Sequence, residues 1–111
     1  MTVTAKNIIP SKIAENTQTT QYTATNVTTI IDKFTATNFT TTAASLSINL
    51  VTPSTAAGTS NLVVYNKTLQ PSETYTFPEV VGHVLAPNGF ISTLASASSS
   101  LTIRASGREI T

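Results

Sequence analysis

His83 is the only histidine in the chain and is therefore the first side chain to consider as a general base. A catalytic histidine needs a nucleophile and an orienting acid, and Ser72 and Asp32 are residues of the required types. No nucleophile motif surrounds any serine, however, and His83 stands between apolar residues in the segment GHVLAP. We therefore predict a half-buried or surface histidine that neither catalyses a reaction nor binds a metal.

Glu73 and Glu79 bracket one short predicted strand and are near each other in the sequence. A glycosidase needs two carboxylates that flank a cleft, but acids in this position more often solvate strand ends. The four glycines lie too far apart to cradle a phosphate, and the absence of cysteine excludes thiolate metal sites and disulfides. We predict no catalytic residue, no metal site and no cofactor.

Tyr22, Tyr65 and Tyr75 are the aromatic residues with which the chain could stack a sugar ring. They fall on three different predicted strands, where packing in the core or at its rim is the more common use of tyrosine. The sequence therefore favours core or rim packing for all three. A carbohydrate- or receptor-binding module stays open as an alternative function.

The composition favours an all-β protein with a single domain. Charged residues make up only 10% of the 111 residues, whereas globular chains usually contain about a quarter. Threonine, serine and asparagine fill the difference, and β-branched threonine suits the solvated face of a strand. A net charge of +1 with scattered basic residues gives no support to a nucleic-acid or membrane partner.

Residues 28–51 hold two candidate strands and the turn between them, and the rest of the prediction is arranged around them. In the first strand, Asp32 falls on the apolar face, which indicates a bulge or an edge position there. We predict a hairpin whose apolar face the rest of the chain covers. In the second strand, the period of two expected for one buried and one wet face sets Leu46, Ile48 and Leu50 against Ser45, Ser47 and Asn49.

Short apolar or alternating runs, separated by turn signals, continue through the rest of the chain. Together they predict seven to eight short strands in a single antiparallel β-sandwich, of either jelly-roll or immunoglobulin-like order. The last alternating strand, residues 101–106, is predicted to close at Gly107. Residues 17–111 are predicted to form the sandwich, and residues 1–16 an extended arm or an edge strand, since Pro10 breaks the pattern there.

Several segments follow one another in a recognisable order. They are the strand and Asn-containing turn in FTATNFTTTAASLSINLV, the small-residue loop TPSTAAGTSN, the segment LQPSETYTF, the Asn-Gly turn in LAPNGFISTLAS and the ending LTIRASGREIT. From Gln21 onward, this series resembles a group of small proteins encoded among the structural genes of tailed bacteriophages. The middle turn departs from the Gly-Asp usual in that group, since it reads Pro87-Asn88-Gly89, and the first twenty residues match no part of the pattern.

The resemblance implies a non-enzymatic virion component that is made in the cytoplasm of the host bacterium. We expect a capsid decoration or cement protein that binds the head surface and neighbouring copies, with a collar, head-fibre or tail-associated protein as the alternative. The expected partners are the major capsid protein, or connector and tail proteins, and other copies in a dimer or trimer. A second predicted contact is an edge strand that extends a neighbouring sheet. The predicted inter-subunit contact residues, within the N-terminal segment from Thr2 to Ile13, are Val3, Ile8, Ile9 and Ile13.

Overall fold

Strands account for most of the chain, and the prediction of an all-β protein is confirmed, with nine strands rather than the seven to eight short ones predicted. A computed structural model describes all residues, 1–111, and its one helical segment is a single 3₁₀ turn, Thr59–Asn61. No helix has the length and apolarity that a membrane crossing requires. The strands are β1 (Val3–Ile13), β2 (Thr19–Thr23), β3 (Thr28–Asn38), β4 (Ala44–Val51), β5 (Leu62–Leu69), β6 (Thr74–Thr76), β7 (Val84–Leu85), β8 (Phe90–Ala95) and β9 (Leu101–Ile110).

The strands form two antiparallel sheets that pack face to face. The five-stranded sheet has the order β1-β9-β3-β6, with β7 also paired to β3, and the four-stranded sheet has the order β2-β8-β4-β5. Without the two-residue strand β7, the other eight strands pair first with last, second with seventh, third with sixth and fourth with fifth. One long hairpin that has been rolled up gives this order, which is that of a jelly roll. Of the two predicted kinds of sandwich, the jelly roll is the one observed.

The predicted hairpin over residues 28–51 is wrong, although both of its strands exist. β3 lies in the five-stranded sheet and β4 in the four-stranded sheet, so residues 39–43 cross from one layer to the other. Each strand has an apolar inner face, and the two faces are buried against the common core rather than side by side in one sheet.

Asn38 anchors this crossing between the layers. Its side chain is completely buried, and its Nδ2 donates hydrogen bonds to the carbonyl oxygens of Thr42 and Leu69, at 2.9 and 3.1 Å. Its Oδ1 accepts hydrogen bonds from the backbone N and the hydroxyl group of Thr40, at 2.9 and 2.7 Å. Both ends of the amide thus have partners, which avoids most of the free-energy cost of burying it.

The core lies between the sheets and takes side chains from both of them. Phe34 of β3 meets Phe77 edge-on with ring centroids 5.4 Å apart, and Phe77 meets Tyr75 in the same way at 4.8 Å. Leu46 and Ile48 of β4 face them from the other layer and are fully buried. Side chains of this kind each stabilise the fold by about 1.5–3 kcal/mol when they are buried, so the core accounts for most of the stability.

The N-terminal residues form β1, which lies at an edge of the five-stranded sheet. β1 pairs with β9 along its length, from Val3 opposite Ile110 to Ile13 opposite Thr102. Pro10, which has no N–H to donate, stands where the register of this pairing shifts, a position that an edge strand tolerates. The chain's own sheet therefore takes up the residues predicted as an arm or an edge strand.

Irregular pairing marks each of the long edge strands. The register shifts twice between β1 and β9, once between β2 and β8, and twice between β5 and β4, and the extra residue lies in the edge strand each time. At the remaining edge, β6 and β7 are only three and two residues long. Bulges and short strands interrupt the row of free N–H and C=O groups to which another chain could pair.

A further bulge falls at Asp32 in β3, where the sequence predicts a bulge or an edge position. The pairing with β9 shifts between Ile31 and Lys33, and the side chain of Asp32 is exposed rather than buried. The guanidinium group of Arg108 binds the carboxylate with two hydrogen bonds, of 3.0 Å from Nε and 2.9 Å from Nη2. The bulge thus lets an acid occupy this central strand while its side chain stays in contact with solvent.

Gly107 does not end the last strand, so the predicted closing position is wrong. β9 continues to Ile110, three residues beyond Gly107. Glycine is required at position 107 because a Cβ there would lie well inside contact distance of the carbonyl oxygen of Ile30. The glycine therefore permits close approach of two strands beside the bulge, rather than a turn.

Tyr22 links the two sheets near the end of the sandwich where the chain termini meet. Its hydroxyl group lies 2.7 Å from the hydroxyl of Thr29 on β3 and donates a hydrogen bond to the carboxylate of Glu109 on β9. Lys6 of β1 lies 3.3 Å from the same carboxylate. Burial, followed by the hydrogen bond to Glu109, raises the pKa of Tyr22 to about 12.

Asn38→Ala is expected to lower the free energy of unfolding by about 2–4 kcal/mol, because the backbone groups that the amide binds would lose their partners. Chemical denaturation followed by circular dichroism measures this change. Asn16→Ala is the control, since Asn16 is exposed and should matter by less than about 0.5 kcal/mol. Equal effects of the two substitutions would contradict the role assigned to Asn38.

Stability should also depend on the proton of Tyr22. Because folding raises the pKa of this phenol from 10.0 to about 12, its contribution is present below pH 10 and is lost as the pH rises towards 12. In urea denaturation over this range, the free energy of unfolding should fall less steeply for Tyr22→Phe than for the wild type. Tyr65→Phe, at an exposed tyrosine, should keep the wild-type slope, and a shared slope for all three proteins would rule the link out.

Candidate binding surfaces

The structure does not bring a catalytic set together around His83. The side chain of His83 is exposed, and its backbone carbonyl accepts a hydrogen bond from the N of Ile31 at 3.0 Å. Ser72 lies in the turn before β6, and the carboxylate of Asp32 is bound by Arg108. No hydrogen bond joins His83 to either of the residues weighed as its partners.

The two acids considered as a glycosidase pair each accept a hydrogen bond from a residue that is close in the sequence. Glu73 accepts a hydrogen bond from the backbone N of Gln70 at 2.7 Å, and Glu79 accepts one from the hydroxyl group of Tyr75 at 3.0 Å. The bond to Glu79 raises the pKa of the Tyr75 phenol. No group of three or more His, Asp or Glu side chains lies close enough to hold a metal ion.

The three tyrosines do not share a face, so they form no common platform. Tyr22 lies between the sheets, and Tyr75 packs on Phe77 with the Nζ of Lys67 4.4 Å from its ring centroid. Core or rim packing therefore describes these two. Tyr65 differs from them, since 72% of its surface is exposed on the outer face of the four-stranded sheet.

The outer face of the four-stranded sheet is not exposed to solvent along β4, which corrects the expectation drawn from the alternation in that strand. Ser47 and Asn49 point away from the core, yet only 3% and 2% of their surfaces are exposed. Residues 52–61 fold back over the face from one side, and Gln18, just before β2, covers it from the other. A polar row thus lies buried beneath a second layer of polar groups.

A network of amides joins this cover to the sheet. Asn49 Nδ2 donates to the carbonyl oxygen of Gly58 at 2.9 Å and to Asn61 Oδ1 at 2.7 Å. Gln18 Nε2 donates to Asn49 Oδ1 at 3.2 Å and to Ser92 Oγ at 2.7 Å. Every buried polar side-chain atom in the molecule has a partner, so the network holds these groups in fixed positions.

A groove of about 180 Å³ runs over the network, and we call it the amide groove. No charged side chain lines it. A wider depression of about 430 Å³ lies beside Asp32 and Lys33, but its carboxylate is already bound by Arg108. The polar side chains of the amide groove are those of Gln18, Ser47, Asn49 and Thr59, and its apolar part comes from Leu62, Tyr65 and Leu94.

The outer face of the five-stranded sheet has a different character at the end near the chain termini. Ile30 points outward because its neighbours on β3 are buried, and its cross-strand partner Val84, which is 58% exposed, does the same. The same alternation turns Ile110 and its half-exposed partner Val3 outward. Arg108 of β9 also stands on this face, opposite both Ala5 and Ile30, with its guanidinium group bound to Asp32, whereas Lys33 and Arg104 lie further along it. We call the outward-facing set Val3, Ala5, Ile30, Val84 and Ile110 the apolar end.

The predicted inter-subunit contacts divide between the core and the surface. Ile8 and Ile9 are buried in the chain's own core, because the bulge between Lys6 and Ile9 lets two successive side chains reach it. They are therefore not accessible to another subunit. Val3 belongs to the apolar end, and Ile13, which is half exposed, lies at the opposite end of β1.

No protein-family model, curated protein or solved structure matches this chain. The two outer faces therefore carry the functional argument. Sequence reasoning named Val3 of the apolar end but missed the amide groove, because Gln18 and Asn61 lie 31 and 12 residues away from the Asn49 side chain that they bind. The one signal for the groove in the sequence is the abundance of amide side chains in a chain with so few charges.

Asn61→Ala should loosen the loop over the amide groove, because Asn61 also bonds to the N of Gly58 at 3.1 Å and to the carbonyl oxygen of Ala56 at 2.9 Å. We expect faster hydrogen exchange in residues 54–61 and a loss of about 1–3 kcal/mol in the free energy of unfolding. Ser60→Ala, at an exposed neighbour, is the control. Unchanged exchange in Asn61→Ala would show that the loop is held by other contacts.

Proposed function

We propose that this chain is a non-enzymatic structural component of a tailed-phage virion, and specifically a capsid decoration protein that binds the head surface and neighbouring copies. The resemblance of residues 21–111 to small phage structural proteins supports the virion part of the proposal. The apolar end of the five-stranded sheet is the observation that carries the assembly part. Exposed apolar patches of this kind mark interaction surfaces.

The apolar end suits contact through a sheet face. Val84 and Ile30 lie directly opposite each other, as do Val3 and Ile110, so their side chains form an apolar strip on four strands. Arg108 of β9, which is bound to Asp32, interrupts the strip between Ile30 and Ala5. A partner that covers this strip removes apolar surface from water, at about 25 cal/mol for each Å². The bulges in β1, β2 and β5 count against the other predicted contact, in which an edge strand extends a neighbouring sheet.

If copies repeat around a symmetry axis, a contact of this size is sufficient to hold them on a particle. A strip of five side chains gives a weak contact in a single copy, and many copies on one particle add avidity. Jelly rolls also build viral capsid and lectin domains, which supports the proposal by analogy of fold alone. A collar, head-fibre or tail-associated role would use the same surface in another place, and imaging of virions that carry the labelled protein distinguishes these positions.

A charge placed in the apolar end should prevent assembly. The double variant Val3→Glu and Val84→Glu changes two exposed residues, so the fold should be retained, as circular dichroism can verify. We expect binding to undecorated particles, and self-association in light scattering, to weaken by about tenfold or more, because the carboxylates would be buried without partners.

Tyr65→Glu is the matched control, because it places the same charge at an exposed residue of the opposite sheet. It should bind particles as the wild type does. Wild-type binding by the double variant, or equal loss in both variants, would refute the assignment of the apolar end as the contact surface.

A further inference from the structure

The amide groove lies on the sheet opposite to the apolar end, so it stays open when the apolar end is covered. Its polar groups are fixed in advance, since Ser47 and Asn49 are almost completely buried and Asn49 is held by Gln18, Asn61 and Gly58. Preformed polar groups in a concave site are what a small-molecule site requires. The groove thus has the construction of a binding site.

The chemistry of the groove selects a neutral ligand. The residues that line it include no cation or carboxylate, so neither a phosphate group nor an ammonium group would find a charged partner there. The side chain of Gln18 donates twice through Nε2, which leaves its Oε1 free to accept a bond from a ligand. A free amide oxygen matches the hydroxyl groups of a polyol, each of which can donate a hydrogen bond to it.

An aromatic face completes the site. Tyr65 stands at the rim with most of its ring exposed, beside Leu62 and Leu94. A pyranose ring has an apolar face of C–H groups that can lie on such a ring, and hydroxyl groups around its edge that can reach the exposed side chain of Gln18. The volume of about 180 Å³ is below the roughly 300–1,000 Å³ of sites for drug-sized ligands, which suits one sugar ring.

We propose that the amide groove binds one ring of a neutral saccharide, with Tyr65 stacked on the sugar and with Gln18, which Asn49 holds in place, bonded to one of its hydroxyl groups. A saccharide of a bacterial surface is the ligand class that such a site on a particle would meet. One ring held in so small a groove binds weakly, and several copies on one particle would raise the affinity by avidity. The proposal does not depend on the apolar end, which lies on the other sheet.

The test is an NMR titration of the ¹⁵N-labelled protein with the methyl glycosides of glucose, galactose, mannose, rhamnose and N-acetylglucosamine. At least one sugar should shift the side-chain amide signals of Gln18 and Asn49, with a Kd of about 1–10 mM. Tyr65→Ala should weaken this binding by about tenfold, whereas Tyr65→Phe should retain it because the ring is kept. Val84→Glu, on the other sheet, should bind as the wild type does.

Several results would overturn the proposal. They are the absence of shifts in the groove with all five sugars, shifts that are confined to other surfaces, and undiminished binding by Tyr65→Ala. Tighter binding of methyl glucuronide than of methyl glucoside would contradict the neutral class of ligand. Because particle binding is measured separately, with variants of the apolar end and with Tyr65→Glu as their control, a failure here can be distinguished from a failure of the assembly proposal.

Discussion

Burial of the inward-facing side chains between two sheets is the interaction on which the rest of the structure depends. Neither sheet can hide its apolar face alone, and Phe34 and Phe77 from one side meet Leu46 and Ile48 from the other. Rolling the chain as one long hairpin brings these faces together with short connections. Asn38 then secures the crossing between the layers by satisfying backbone groups that the crossing leaves inside.

Once the inner faces are used in this way, only edges and outer faces remain for contact with other molecules. The bulges of β1, β2 and β5 make the edges poor templates for another strand. The two outer faces therefore present different kinds of surface to other molecules. One presents the apolar end, and the other presents amide groups beside an exposed tyrosine.

The ordered polar contacts inside this molecule are made by hydroxyl and amide groups rather than by charged groups. The three ion pairs, Lys6–Glu109, Lys12–Glu15 and Arg108–Asp32, are all partly exposed, and such pairs contribute little to stability. By contrast, the buried polar groups of Asn38 and Asn49 are fully paired. A chain with so few charges keeps these networks ordered because each of their members has a defined partner.

The sequence by itself determined the all-β class, most strand positions and the irregularity at Asp32, because side-chain alternation is a local property of the chain. Only the tertiary structure decided which strands pair, since β3 and β4 follow each other yet lie in different sheets. It also decided that Ile8 and Ile9 are core residues. The buried state of Asn49 was likewise settled in three dimensions, because alternation shows which way a side chain points but not whether distant residues such as Gln18 and Asn61 will cover it.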